Sequence, residues 1–352
     1  MARSFPWGRF LLLLLIAFGF LACESPKTAP QSASTDTAPP PPPPLGVFSA
    51  TRASADLTAL ASQPSNDALR SYVASQLAST GLSVQTLETP GVQGAGAGVA
   101  EAKSWKHLVA TAPGASPDLF VLVARLDEAR GALSGPALEE DLSGAALLLE
   151  LARFISTRSL PYTTRFVWIE GDVRPRADET GVQPEFGGSE SLAARMSESG
   201  DVSKVRLLVA FDRVCRDDLR VARDLGSHRV YREDFFNTGA RAGWLQVFPR
   251  NQEYETVEAS HLAFRNAGVR SAVVLSAASG LASDGHACAP QSLEAVGAVA
   301  LDTIDIIGRR LAKIDRFSKT PLAATAESAS PAPVGPAEPP AAPPDPSGTA
   351  HP

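Results

Sequence analysis

Several short stretches of this chain are apolar from end to end. LFVLVA at 119–124, RFVWI at 165–169, VRLLVAF at 205–211 and RSAVVL at 270–275 show no polar residue in alternation once their first positions are passed. A strand wetted on one face alternates; one without alternation is covered on both. Further strands are predicted at 82–87 and 107–111. Between the strands lie helical patterns: one or two amphipathic helices at 55–81, a helix apolar all round at 141–156, and others at 189–196, 256–266 and 293–314. Strands covered on both faces and spaced by helices predict an α/β fold: a mostly parallel central sheet with helices on both faces, three layers deep.

The ends of the chain are unfit to pack. Residues 24–45 are mostly Pro, Ser, Thr and Ala, ending in an unbroken proline run at 39–44, and 319–352 repeats the composition. Neither buries enough apolar surface to offset backbone entropy, so both are expected to be disordered or polyproline-like. About 265 residues remain, close to the upper size of one hydrophobic core. The expected organisation is a signal peptide at 1–22, a lipidated Cys23 with a Pro-rich tether at 23–48, a folded domain at 49–317 and a disordered tail at 318–352. The net charge of −6 comes from scattered residues, with no basic stripe or block, so a nucleic-acid partner is not expected.

Arg3 and Arg9 precede an apolar run at 10–21, which is shorter than the ~20 residues that span a bilayer. A basic flank, an apolar centre and small residues before Cys23 read as a signal peptide. Leu21-Ala22-Cys23 is similar to a bacterial lipobox, although Phe20 stands where that motif usually has Leu. The implication is an exported bacterial lipoprotein, held at a membrane through lipid on Cys23, facing the periplasm or the cell surface. A conventional signal peptide with an incidental cysteine is the alternative.

Ligand sites of parallel sheets lie beyond the carboxyl ends of the strands. The residues there are Arg125-Leu126-Asp127, Glu170-Gly171-Asp172-Val173, Asp212-Arg213 and, in the last loop, Ser283-Asp284-Gly285-His286. Each group carries a carboxylate. Glu140 and Asp141 stand at the start of the predicted helix at 141–156, where carboxylates also favour the positive end of a helix dipole without any metal.

The order of VARLD, EEDLSGAALLLELAR, RFVWIEGDV with GGSESLA, a strand ending in AFD, ASHLAFRNAGVRSAVVL and His286 resembles metallopeptidase family 28. That family comprises di-zinc aminopeptidases whose relatives include the glutaminyl cyclases; the resemblance spans about residues 57–307. It implies a zinc-aminopeptidase-like fold and a two-zinc site. Carried over by position, Asp127 orients a ligand, Asp172 takes the place of the general base, and Glu140, Asp212 and His286 are remnant metal ligands. Arg125 and Val173 stand where the resemblance implies a histidine and a glutamate ligand. Val173 has no lone pair to donate, and the guanidinium of Arg125 is permanently cationic. With a ligand lost from each metal, neither reaches the three protein ligands of a catalytic zinc site. Arg125 is expected to stand in for the metal charge by pairing with Glu140 and Asp212. Asp172 is a methylene shorter than the glutamate it replaces, which withdraws its carboxylate from a reacting position.

Two cysteines remain beside Cys23: Cys215, three residues after Asp212, and Cys288, two after His286. A disulfide between them, two free thiols, or a Cys/Cys/His metal cluster are the readings open at this stage. Two functions compete. One is a hydrolase removing N-terminal residues from peptides with a remnant zinc site; the other is a non-catalytic module that binds a peptide or partner protein at the membrane surface. Glutaminyl cyclase chemistry ranks last, because its single zinc would use position 173.

Overall fold

The computed structural model describes residues 44, 46–91, 104–127, 135–173, 185–278 and 287–319. By its contacts the chain divides into Met1–Pro41 and Pro42–Pro352, and every described residue belongs to the second unit. Cys23, His286, the segment 1–43 and the tail from 320 lie outside the described residues.

In chain order the elements are α1 (Ala50–Ala61), α2 (Asn66–Leu77), β1 (Ser83–Pro90), β2 (Ser104–Ala112), β3 (Gly114–Arg125), α3 (Pro136–Ser156), β4 (Leu160–Ile169), β5 (Asp172–Val173), β6 (Glu185–Phe186), α4 (Gly187–Glu198), β7 (Val205–Asp212), β8 (Arg223–Asp224), α5 (Arg229–Arg241), β9 (Tyr254–Glu255), α6 (His261–Asn266), β10 (Ala272–Ser276) and α7 (Pro290–Lys319). The central sheet has the order β1-β2-β4-β3-β7-β10. β4, β3, β7 and β10 pair in parallel, while β2 is antiparallel to both β1 and β4. Within this sheet β2 alone runs against the rest, so the mostly parallel sheet is present with an antiparallel margin.

Side chains alternate across β3, which makes the middle layer of a sandwich. Phe120, Leu122 and Ala124 join a core with Leu57 and Leu60 of α1, Leu148 and Leu151 of α3, Phe235 of α5 and Val296 and Val299 of α7. Leu119, Val121 and Val123 join a second core with Leu192 and Met196 of α4 and Phe264 of α6. The strand is apolar throughout because both of its faces are covered. Trp168 of β4 is fully buried and its indole N–H donates to the Ala145 carbonyl of α3 at 3.1 Å, fixing that helix against the sheet.

α3 begins at Pro136, five residues earlier than its apolar pattern predicts, with Gly135 as N-cap and proline in the first turn. Glu140 and Asp141 therefore lie past the first turn of the helix rather than at its start.

Candidate active site at the carboxyl ends of the strands

β3 ends on Arg125, and its continuation is tied to β4 by the Leu126 N–H, which donates to the Ile169 carbonyl at 2.7 Å. This places Asp127 beneath the turn that follows β4. Both of its oxygens accept from the Gly171 N–H, at 2.7 and 2.9 Å, and one also accepts from the Asp172 N–H at 2.7 Å. Asp172 is 1% exposed. One oxygen accepts from the Ser189 N–H at 2.8 Å; the other accepts from the Ser189 hydroxyl and from the Ser260 hydroxyl, the latter at 2.8 Å. Ser189 reaches it because Gly188 lets the start of α4 close on β4: a Cβ there would lie 1.8 Å from the Glu170 carbonyl oxygen. Burial pushes the Asp127 carboxyl up to about 7, against the pull of the Gly171 N–H and Arg125. Burial also raises Asp172, against the donors from Ser189 and Ser260.

Glu170, among the strand-end residues, turns away from this cluster. It pairs with Arg70 at 2.8 Å and accepts from Asn66 and the Lys106 N–H, tying β4 to α2 and β2.

Across the sheet, α3 presents Glu140 and Asp141, both buried. Arg125 pairs with Asp141, and its Nη1 donates to the Asp172 carbonyl at 3.4 Å. Glu140 pairs instead with Arg216, whose Nη1 lies 3.2 and 3.4 Å from its two oxygens. One cation was expected to serve Glu140 and Asp212; the structure divides that work, and the cation on Glu140 is a second arginine. The cause is helical phase: consecutive residues of a helix point about 100° apart, so Glu140 and Asp141 address different neighbours. Asp212 ends β7 opposite Ser276, whose hydroxyl donates to it at 3.1 Å, and Arg213 Nε stands 3.9 Å away. Arg213 has φ of 49°, the only positive φ among described non-glycine residues, as the chain turns sharply out of the strand. Ser143 fastens this corner to α3: its hydroxyl donates to the Glu140 carbonyl at 2.6 Å and accepts from the Val214 N–H at 2.8 Å.

Comparison with protein-family models gives no match, and neither does comparison with curated proteins. Solved structures do match. The Acidobacteriales bacterium glutaminyl cyclase superposes with a TM-score of 0.61 at 17% identity, covering 78% of this chain and 99% of that one. A Zn-dependent exopeptidase from Parabacteroides distasonis gives 0.60 at 14%, covering 73% and 98%. A leucine aminopeptidase precursor from Bacteroides thetaiotaomicron gives 0.59 at 15%, covering 73% and 97%. The fold is that of glutaminyl cyclases and zinc-dependent exopeptidases. At this identity the likeness concerns the fold alone.

The zinc that such a fold implies does not fit the described donors. Among the described residues no three His, Cys, Asp or Glu side chains converge as a metal cluster. Glu140 and Asp141, the two buried carboxylates of α3 nearest the strand ends, are each already paired with a guanidinium, whose charge opposes entry of a dication. Val173 contributes backbone pairing to Glu185 in the β5–β6 ribbon, and His286 lies outside the described residues. Cys215 and Cys288 are joined in a disulfide, with a Cα–Cα distance of 4.8 Å, so neither is a thiolate ligand.

Sequence reasoning missed Arg216, Ser189 and Ser260. Arg216 stands four residues past the end of β7, and a search for metal-binding residue types passes over arginine. An arginine next to a cysteine for which a disulfide was one open reading, behind a strand-end carboxylate, was the available signal.

Proposed function

We propose that this chain is an exported, lipid-anchored protein whose exopeptidase-like domain has given up hydrolysis and works as a non-catalytic binding module for a peptide or a partner protein at the membrane surface. The observation that carries this reading is the seating of Arg125 at the end of β3: buried, paired with Asp141 and donating to the Asp172 carbonyl. A histidine there could ligate a metal; a guanidinium held by a carboxylate and a carbonyl cannot. Asp172 supports it, because its two oxygens are engaged by three local donors at 1% exposure and are poorly placed to take a proton from an attacking water. The anchoring half of the proposal rests on the basic flank, the short apolar run and Leu21-Ala22-Cys23.

One observation favours a retained hydrolase: Asp127 titrates at about 7, in the range of an acid–base catalyst. Its engagement with two backbone N–H groups speaks for a structural carboxylate instead.

Zinc content of the purified protein, measured after zinc loading and gel filtration together with release of amino acids from a panel of unblocked peptides, tests the catalytic half. Less than a tenth of an equivalent of zinc and no release is expected; stoichiometric zinc with turnover would overturn the proposal. Metabolic labelling with a radioactive fatty acid tests the anchor, with label expected on the wild type and absent from Cys23→Ala.

A further inference from the structure

Arg216 is fully buried, an expensive position for a permanent charge unless every part of it is held. It is held from three directions. The residue before it, Cys215, is bonded to Cys288. Its carbonyl accepts the Ser292 hydroxyl from the first turn of α7. Its Nε and Nη2 donate to Asp218 at 2.9 and 3.4 Å. The result is an Nη1 aimed at both oxygens of Glu140. Glu140 is fixed in turn, since Ser143 binds its carbonyl and the Val214 N–H together. Two separate segments, 212–218 and 287–292, thus converge to deliver one guanidinium to one carboxylate.

We propose that Arg125 and Arg216 together form a built-in substitute for a divalent cation. Two guanidinium charges equal the charge of one zinc; Arg125 brings its charge to Asp141, and Arg216 shares its charge between Glu140 and the exposed Asp218. This rests on the non-hydrolytic reading and goes further. Loss of ligands alone would leave an acidic corner that still draws divalent cations, whereas carboxylates occupied by arginine do not. Occupancy by arginine keeps divalent cations off these carboxylates, and removing the two arginines leaves carboxylates that draw a divalent cation weakly, because no three described donors converge.

The test uses the full mature chain and zinc alone as the probe, with thermal midpoint and retained zinc as readouts. Wild type is expected to keep its midpoint when zinc is added and to retain none. Arg125→Gln/Arg216→Gln is expected to melt about 5–15 °C lower without metal, to recover about 2–5 °C in saturating zinc, and to release that zinc on gel filtration. A folded double variant that ignores zinc overturns the inference and leaves the non-hydrolytic reading intact. Wild type that retains zinc and is stabilised by it overturns the inference as well, and turnover in that state takes the non-hydrolytic reading with it. Should the double variant fail to fold, Arg216→Gln/Glu140→Gln decides: a midpoint closer to wild type than that of Arg216→Gln alone supports the pairing, and a midpoint no closer overturns it.

Discussion

Gly144 of α3 rests against the Phe211 carbonyl of β7 so closely that a Cβ at position 144 would stand 2.3 Å from that oxygen. The obstructing atom is backbone, in a strand paired on both sides, and it cannot turn aside. Gly144→Ala must therefore push α3 off the sheet. A loss of about 1–3 kcal/mol is expected, read from urea midpoints; an unchanged midpoint would mean that α3 is free to slide.

Two buried groups titrate in opposite senses. Burial lowers His107 from 6.5 to about 4 and raises Asp127 from 3.8 to about 7. His107 binds fewer protons folded than unfolded between about pH 4 and 6.5, so its contribution rises with pH there and is lost as pH falls toward 4. Asp127 binds more protons folded between about pH 4 and 7, so its contribution falls as pH rises; Asp172, also raised, acts in the same sense. The slope of His107 thus opposes those of Asp127 and Asp172 across that window. Relative to wild type, the stability of His107→Gln is expected to fall more steeply as pH rises across that window and that of Asp127→Asn less steeply, each difference on the order of 1.4 kcal/mol per pH unit. Guanidinium melts at pH 4.5 and 7 measure both, and identical pH dependence in all three proteins would refute the assignment.

The Cys215–Cys288 bridge closes a loop of 73 residues. Cys215→Ser/Cys288→Ser is expected to cost about 4 kcal/mol by restoring loop entropy to the unfolded chain. The comparison is denaturant unfolding of wild type with and without reductant: only the oxidised protein should stand apart from the variant.

Arg153 is buried beside Asp56 and Glu150, and also donates to Gln76 at 2.8 Å. Arg153→Met leaves Asp56 with Tyr72, whose hydroxyl donates to it at 2.7 Å, but with no cation among the described contacts. A loss of about 3–5 kcal/mol is expected, and Arg153→Met/Asp56→Asn should recover part of it. Additive losses in that cycle would show that the two do not interact.

The sheet was legible because its central strands are apolar on both faces, a signal that needs no partner to be read. α5 was not foreseen: its buried Tyr231, Phe235 and Phe236 sit among Arg229, Arg232, Glu233 and Asp234, so the apolar stripe is thin. The positions of Arg125, Asp127, Asp172 and Asp212, at or just past the carboxyl ends of their strands, followed from the strand pattern. Who pairs with whom did not follow. Glu140 and Asp141 are adjacent in sequence, and only their phase on α3 assigns one to Arg216 and the other to Arg125. Ser260, 88 residues from Asp172, is joined to it by the approach of α6, which no local pattern encodes.

At the other end of α3, the Ser49 N–H and the Arg52 guanidinium both hold Glu150, at 2.7 and 2.6 Å. Mechanically, α3 is a strut. It joins the N-terminal end of the folded unit, at Glu150, to the arginine pairs on Glu140 and Asp141 about 15 Å along the same helix.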